Sequence, residues 1–335
     1  MAFQLFDDST EESPSSSEEP ESGTRRGKNA VALSTVDAGS SSLEINELDR
    51  LQARASRAAG KAKRMFMVLP GVKQVAINRY YIRVGQHAFN RPWLPHEAHR
   101  NIRTVRETGV AKTVIPLPDN VSSVAEAFVE RLRAAPREPK YDRITPLEIL
   151  SPPDVFLYGL DEALLDIAEN FIGLPVSFAG CELKRERPEA PPVDVRMWHL
   201  DVEDHRMLKI IVYLSDVDED CGPFTYLDVA DTNHVKRELR YLSGFVDDST
   251  MASIVPRARW RTALGPRLTA SWVDTCNVFH KAAQPRVHDR YSMTFSYTSN
   301  EPLQLFPEFR QTREQQWRVL RGRLTPRQWD VLQID

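Results

Sequence analysis

Apolar positions recur at helical spacing in the first half of the chain and alternate along short segments in the second. From residue 43 the stretch EINELDRLQARASRAAGKAKRMFMVL sets Ile45, Leu48, Leu51 and Ala55 three or four positions apart, which predicts a helix. A second helix is predicted over 121–135, capped in the Ser122/Ser123 region. A third carries both of its end signals. Asp161 stands as N-cap, Ala163, Leu164, Ile167, Ala168, Phe171 and Ile172 share one face, Gly173 stops the helix and Pro175 prevents its resumption. The period then changes to that of strands. Segments 176–184, 207–214, 224–229, 267–273, 277–283 and 291–298 are short, β-branched or aromatic, and separated by Pro, Gly and Asp clusters. Near the end, Thr325, Pro326 and Gln328 supply an N-cap, a proline at the first helical position and a capping-box partner, with Trp329 and Leu332 expected to pack inward.

Helices followed by strands predict a mainly β fold buttressed by helices, either a β-sandwich or a jelly roll. The predicted organisation is a helical part at 43–175, a β core at 176–300 and helices at 301–335. The first 42 residues are rich in Ser and Glu and poor in aromatics. They bury too little apolar surface to offset their ordering entropy, so an acidic disordered tail is expected.

Composition narrows the classes. The 335 residues carry a formal net charge of -3, which as a whole gives no reason to expect a nucleic-acid or membrane partner. Three cysteines, Cys181, Cys221 and Cys276, are odd in number and widely spaced, against a disulfide framework or a CxxC zinc site. The N-terminus lacks the basic start and apolar run of a signal peptide, and no long apolar stretch occurs. A soluble, cytoplasmic protein is expected.

The chemistry gathers around MWHLDVEDHRMLKIIVYLSDVDEDCGPFTYLD. His199 and Asp201 are one residue apart, so on extended backbone both side chains point to the same face. An imidazole and a carboxylate so placed offer two ligands to a borderline divalent metal, and a further His would complete a facial triad. The pair alone is also what a surface pair looks like. Of the eight histidines, His87, His96, His99, His205 and His234 lack strand context. His280 lies in a strand-like segment, whereas His288 falls in the turn PRVHD. Ten residues after His280, Arg290 opens the strand RYSMTFSYTS, where Arg290, Ser292, Thr294 and Ser296 share a polar face. A guanidinium there can hold a carboxylate bidentately and the Ser292 hydroxyl can assist, although an exposed ion pair with Asp289 is the plainer account of Arg290 alone.

An HxD motif, a distal His and an Arg about ten residues later resemble the 2-oxoglutarate/Fe(II) oxygenases. Within them the chain looks like the phytanoyl-CoA dioxygenase-like group, on LLDIAENFIGLPV, WHLD, LKIIVYLSDVDEDCGPFTYL and FHKAAQPRVHDRYSMTFSY. The resemblance covers roughly 154–298. It implies a double-stranded β-helix (jelly-roll, cupin-like) core, iron held by His199, Asp201 and His280, and 2-oxoglutarate anchored by Arg290 with Ser292 assisting. It also implies a dioxygenase that uses O2, oxidises a small-molecule substrate and releases succinate and CO2. Asp201 stands where halogenating relatives have a small residue, which favours hydroxylation or a further oxidation. The chain departs from the group after GPF, where LDVADTNH replaces a PGSH-type turn and 231–261 form a long basic segment. For the seven Lys/Arg of 235–267, a lid over an anionic substrate and a solvated loop are both open. Trp198 could wall the pocket or sit in the core, Lys184 could touch a carboxylate or solvent, and Asn277 and Trp272 could face the lumen. Two other classes stay in view: a cupin-type metal-dependent isomerase or lyase, and a non-catalytic binding module of the same fold.

Overall fold

Hydrogen-bonded pairing in the second half of the chain builds two antiparallel sheets that face each other across a lumen. The computed structural model describes residues 70–136, 142–188, 190, 191, 193–303 and 318–332. All of them belong to the second of two units into which the chain divides, Leu51–Asp335. The expected tail at 1–42 and the helix expected at 43–69 lie outside the described residues.

The larger sheet has the order β1-β7-β4-β9-β3-β2. Its strands are β1 (Val110–Val114), β2 (Asp142–Arg143), β3 (Val176–Glu186), β4 (Leu208–Tyr213), β7 (Thr269–Asp274) and β9 (Arg290–Ser299). The smaller sheet has the order β6-β5-β8, from β5 (Phe224–Tyr226), β6 (Arg261–Ala263) and β8 (His280–Ala282). A bridge between His199 and His280 adds the segment before β4 to the edge of β8. From β3 to β9 the chain therefore passes back and forth between the sheets, and the core is a double-stranded β-helix.

The main apolar core lies behind the larger sheet, not between the sheets. Leu208, Ile210 and Val212 of β4 and Tyr291, Met293, Phe295 and Tyr297 of β9 are buried there against helices. Those helices include α2 (His96–Thr108), α3 (Asp119–Ala134) and α5 (Glu162–Ile172), which follow α1 (Pro70–His87); α4 (Asp154–Tyr158) precedes α5. Alternation then sends Lys209, Ile211, Tyr213, Arg290, Ser292 and Thr294 into the lumen. The barrel interior is thus left free for polar work. Each fully buried large side chain behind the sheet contributes about 1.5–3 kcal/mol, so the fold does not need an apolar lumen.

The ends of α5 are as expected: the Asp161 side chain accepts from the Ala163 N–H, and Gly173 takes the left-handed conformation. The capping box before α8 (Pro326–Leu332) also forms, with Thr325 N–H donating to Gln328 Oε1 at 2.9 Å and Gln328 N–H to Thr325 Oγ1 at 3.2 Å. Val331 is buried with Leu332, while Trp329 stays half-buried. Three boundaries differ. The second helix begins at Asp119 behind Pro118, with no side-chain cap, and Ser123 Oγ donates back to Asp119 O. The strand expected at 224–229 ends at Tyr226, because the Asp228 side chain accepts from the Asp231 N–H and starts α6 (Val229–Glu238). The strand expected at 277–283 is paired only from His280, because Asn277 is held in a turn by Asp274 and the His205 carbonyl.

The basic segment 231–261 is not a solvated loop. It forms α6 and α7 (Asp248–Ile254), whose Val235, Met251 and Val255 join Trp198 and Phe279 in a second apolar cluster. Three of its cations face acids: Arg259 lies 2.6 Å from Asp231, Arg261 3.3 Å from Asp228 and Arg257 3.6 Å from Asp248.

Gly222, at φ +63°, makes the turn into β5. A Cβ there would lie 2.3 Å from Pro285 N and 2.4 Å from Ala283 O, both backbone atoms beyond β8. Gly222→Ala is expected to cost about 1–3 kcal/mol, read as a lowered urea midpoint with unchanged slope.

Candidate metal centre

His199 and His280 face each other as a reciprocal backbone pair: each N–H donates to the other's carbonyl at 3.1 Å. Directly opposed residues send their side chains to the same face, which brings two imidazoles from distant parts of the chain together with ring centroids 4.3 Å apart. Asp201, one alternation further on, is tied by its N–H to Thr275 O at 3.0 Å. Its Oδ1 lies 3.8 Å from His199 Nε2 and 3.9 Å from His280 Nε2. The three donor atoms lie within 4.8 Å of one another.

Protonation is arranged for coordination. The Nδ1 of His199 is 2.9 Å from Met197 O and that of His280 is 3.0 Å from Val278 O. Donation by Nδ1–H to these carbonyls leaves each Nε2 lone pair aimed inward. Burial, and then the neighbouring His199, pushes the His280 imidazole down to about 3, and burial lowers His199 as well. Burial would raise the Asp201 carboxyl, but the Lys209 ammonium and the two imidazoles outweigh it and hold it well below the usual carboxylate range. Two neutral imidazoles and one carboxylate are the donor set of a borderline divalent ion on a facial triad.

Lys209 was not singled out by sequence. Its Nζ sits 2.6 Å from Asp201 Oδ2, so one carboxylate oxygen is tethered and the other faces the histidines. The Asp201 and Glu203 carboxylates outweigh burial and keep the lysine charged. Its signal was a lone cation at a lumen-parity position in the apolar run LKIIVYL.

The triad opens on a cavity of about 110 Å³, lined among others by Lys184, Lys209, Tyr213, Arg290, Ser292 and Thr294. Arg290 is only 3% exposed, and its Nε and Nη1 have no hydrogen-bond acceptor. Asp289 does not supply one; it pairs with Arg185 at 2.6 Å. Across the β3–β9 ladder Glu186 stands opposite Arg290, but its carboxylate is engaged by Arg196 at 2.6 Å, with Lys184 Nζ at 3.5 Å. Ser292 is buried beside Lys184 in register.

The other sequence candidates sort by position. Lys184 lines the cavity and is not a solvated lysine. Trp198 is fully buried, donates from Nε1 to Asp248 at 2.9 Å and belongs to the second apolar cluster, away from the lumen. Trp272 sits in the core behind the larger sheet, and Asn277 braces the 201–207 loop. His205 rests on Tyr80, with centroids 4.8 Å apart, and together with His288 stays outside the triad. Phe245, unmarked in the sequence, stands 5.5 Å from the His199 ring and is 51% exposed, an apolar wall at the mouth.

The site is a His/Asp/His cluster in a double-stranded β-helix, and Arg290, with two guanidinium nitrogens that lack an acceptor, lines the same cavity. Solved structures similar to the chain include HygX from Streptomyces hygroscopicus with nickel and 2-oxoglutarate bound. It is 14% identical over 62% of this chain and 88% of its own, with a TM-score of 0.46. EctD from S. alaskensis in its apoform is 17% identical over 62% of this chain and 80% of its own, also with a TM-score of 0.46. The epimerase SnoN, in complex with Fe3+, alpha ketoglutarate and nogalamycin RO, is 15% identical over 62% and 86%, again with a TM-score of 0.46. No protein-family model and no curated protein matches the sequence. The chemistry of the site rests on the residues this chain itself presents.

Calorimetric titration with a divalent metal should separate the histidines. His280→Ala is expected to abolish stoichiometric binding, and His288→Ala to leave it intact. Lys209→Met, which frees the second Asp201 oxygen, is expected to weaken metal affinity about 10–100-fold, the usual effect of losing a group that orients a ligand.

Proposed function

We propose that the protein is an Fe(II)- and 2-oxoglutarate-dependent dioxygenase that hydroxylates, or otherwise oxidises, a small molecule with release of succinate and CO2. The observation that carries this is Arg290. A buried charged donor left without an acceptor costs about 1–3 kcal/mol or more, and Nε and Nη1 have no hydrogen-bond acceptor; the Glu186 carboxylate opposite balances charge but is shared with Arg196 and Lys184. A dicarboxylate reaching from the metal to the guanidinium would offset it. A metal-dependent isomerase or lyase of the same architecture has no use for such an anchor.

On this reading His199, Asp201 and His280 hold iron through two Nε2 atoms and one carboxylate oxygen. Arg290 binds the distal carboxylate of 2-oxoglutarate as a bidentate partner, and the Ser292 hydroxyl donates to it. Iron and 2-oxoglutarate, when bound with O2, supply the oxidising power; the protein supplies position and a dry pocket. Lys209 fixes the Asp201 carboxylate, and the buried ammonium keeps it ionised. Phe245 and the exposed mouth orient an apolar part of the substrate. Residues 43–335 are the oxygenase domain, with 1–42 an acidic tail. The three cysteines are free, which fits a reducing, cytoplasmic compartment; no described helix is long and apolar enough to cross a membrane.

Succinate release from the iron-loaded protein tests the reading. Arg290→Gln should raise the 2-oxoglutarate requirement about a hundredfold, equivalent to roughly 3 kcal/mol, while stoichiometric metal binding persists. Ser292→Ala should raise it by no more than about tenfold. Absence of 2-oxoglutarate turnover, or an Arg290→Gln enzyme with unchanged 2-oxoglutarate dependence, would remove the basis for this assignment.

A further inference from the structure

A second cavity, of about 260 Å³, is larger than the one beside the metal ligands and shares no residue with it. It lies where α1, α2 and α6 meet the segment before β4, and its polar lining includes Tyr80, Arg106, His205, Arg206, Asp274 and Asn277. The turn after β7 separates the two spaces: Thr275 lines the metal cavity, Asp274 and Asn277 this one. The walls are fixed. His205 rests on the Tyr80 ring with centroids 4.8 Å apart, and its carbonyl accepts from Asn277 Nδ2 at 2.8 Å. Two guanidiniums enter, and neither has an ion-pair partner among the described residues. Arg206 lies over the Phe171 ring at 5.7 Å and makes no hydrogen bond to a described residue. Arg106 uses only Nη2, which donates to the Asn170 and Phe171 carbonyls at 2.8 and 3.2 Å.

We infer that this cavity binds a small organic molecule through an oxyanion group, a carboxylate or a phosphate, shared by Arg206 and Arg106, with its apolar body against Val105 and Val229. Guanidiniums with unused N–H donors, held by packing and not by a carboxylate, are suited to an oxyanion, because each planar fork can pair with two of its oxygens. Asp274 is the one acid in the lining, and it does not reverse the local charge. Burial, and then the like charges of Arg206 and Arg91, lower the Arg106 guanidinium from its usual range, while Asp274 opposes them least of all its neighbours. The Asp274 oxygens each accept from Asn277 Nδ2 at 3.1 Å, and burial holds its carboxyl up at about 6. A metal ion has no place beside two guanidiniums and a single carboxylate. A concave space with an apolar wall and a few convergent polar groups is the usual form of a small-molecule site.

Equilibrium dialysis of the full chain against radiolabelled inorganic phosphate and, separately, radiolabelled butyrate tests the proposal. Both are run on the Arg290→Gln chain, in which the metal cavity no longer offers its guanidinium to an anion. Neither iron nor 2-oxoglutarate is present, so the outcome is independent of the proposed activity. Saturable binding of one anion per chain is expected for at least one probe, and the tighter of the two tells phosphate from carboxylate. Arg206→Gln should weaken that binding at least tenfold. Asp274→Asn, which removes the opposing charge from the lining, should tighten it severalfold. Should Arg206→Gln lower the melting temperature, Asp274→Asn still decides, because lost structure does not tighten binding. No saturable binding of either anion, binding undiminished by Arg206→Gln, or binding weakened by Asp274→Asn would overturn the proposal.

Discussion

The reciprocal backbone pair between His199 and His280 is the constraint on which the site depends. It closes one edge of the smaller sheet and, by the same two hydrogen bonds, sets two imidazoles on one face. Asp201 follows from alternation alone, and its own N–H bond to Thr275 fixes the depth at which the carboxylate stands. The candidate metal centre is therefore a by-product of sheet pairing. Each backbone bond is worth little net, about 1 kcal/mol. The consequence of losing the pair is geometric: a slip of one residue would turn both side chains out of the lumen.

That constraint can operate because the apolar core lies elsewhere. Helices cover the back of the larger sheet and α6 and α7 cover the smaller one, so the lumen is relieved of holding the fold together. It can then bury charges that would be liabilities in a core. Lys209 and Asp201 neutralise each other at 2.6 Å, and Glu186 is engaged by Arg196 and Lys184. At Arg290, Nε and Nη1 are left without an acceptor.

Much of this was legible in the sequence, for reasons that differ by element. The alternation in RYSMTFSYTS placed Arg290, Ser292 and Thr294 correctly because a strand period of two admits only two faces. Both ends of α5 and the start of α8 followed from cap residues whose hydrogen bonds are local. Lys209 was missed because its partner is a metal-ligand candidate eight residues away, outside any strand, and only folding brings them together. Phe245 was hidden in a segment whose basic residues left a lid and a loop equally open; some of those residues pair with acids, while the aromatic stands beside His199.

The most direct measurement is anaerobic titration of the Fe(II)-loaded protein with 2-oxoglutarate, followed by visible absorption. The account predicts a weak metal-to-ligand charge-transfer band that saturates at one 2-oxoglutarate per iron. Stoichiometric iron binding with no band at any 2-oxoglutarate concentration would contradict it, and would return the site to a metal-dependent isomerase, lyase or binding module on the same barrel.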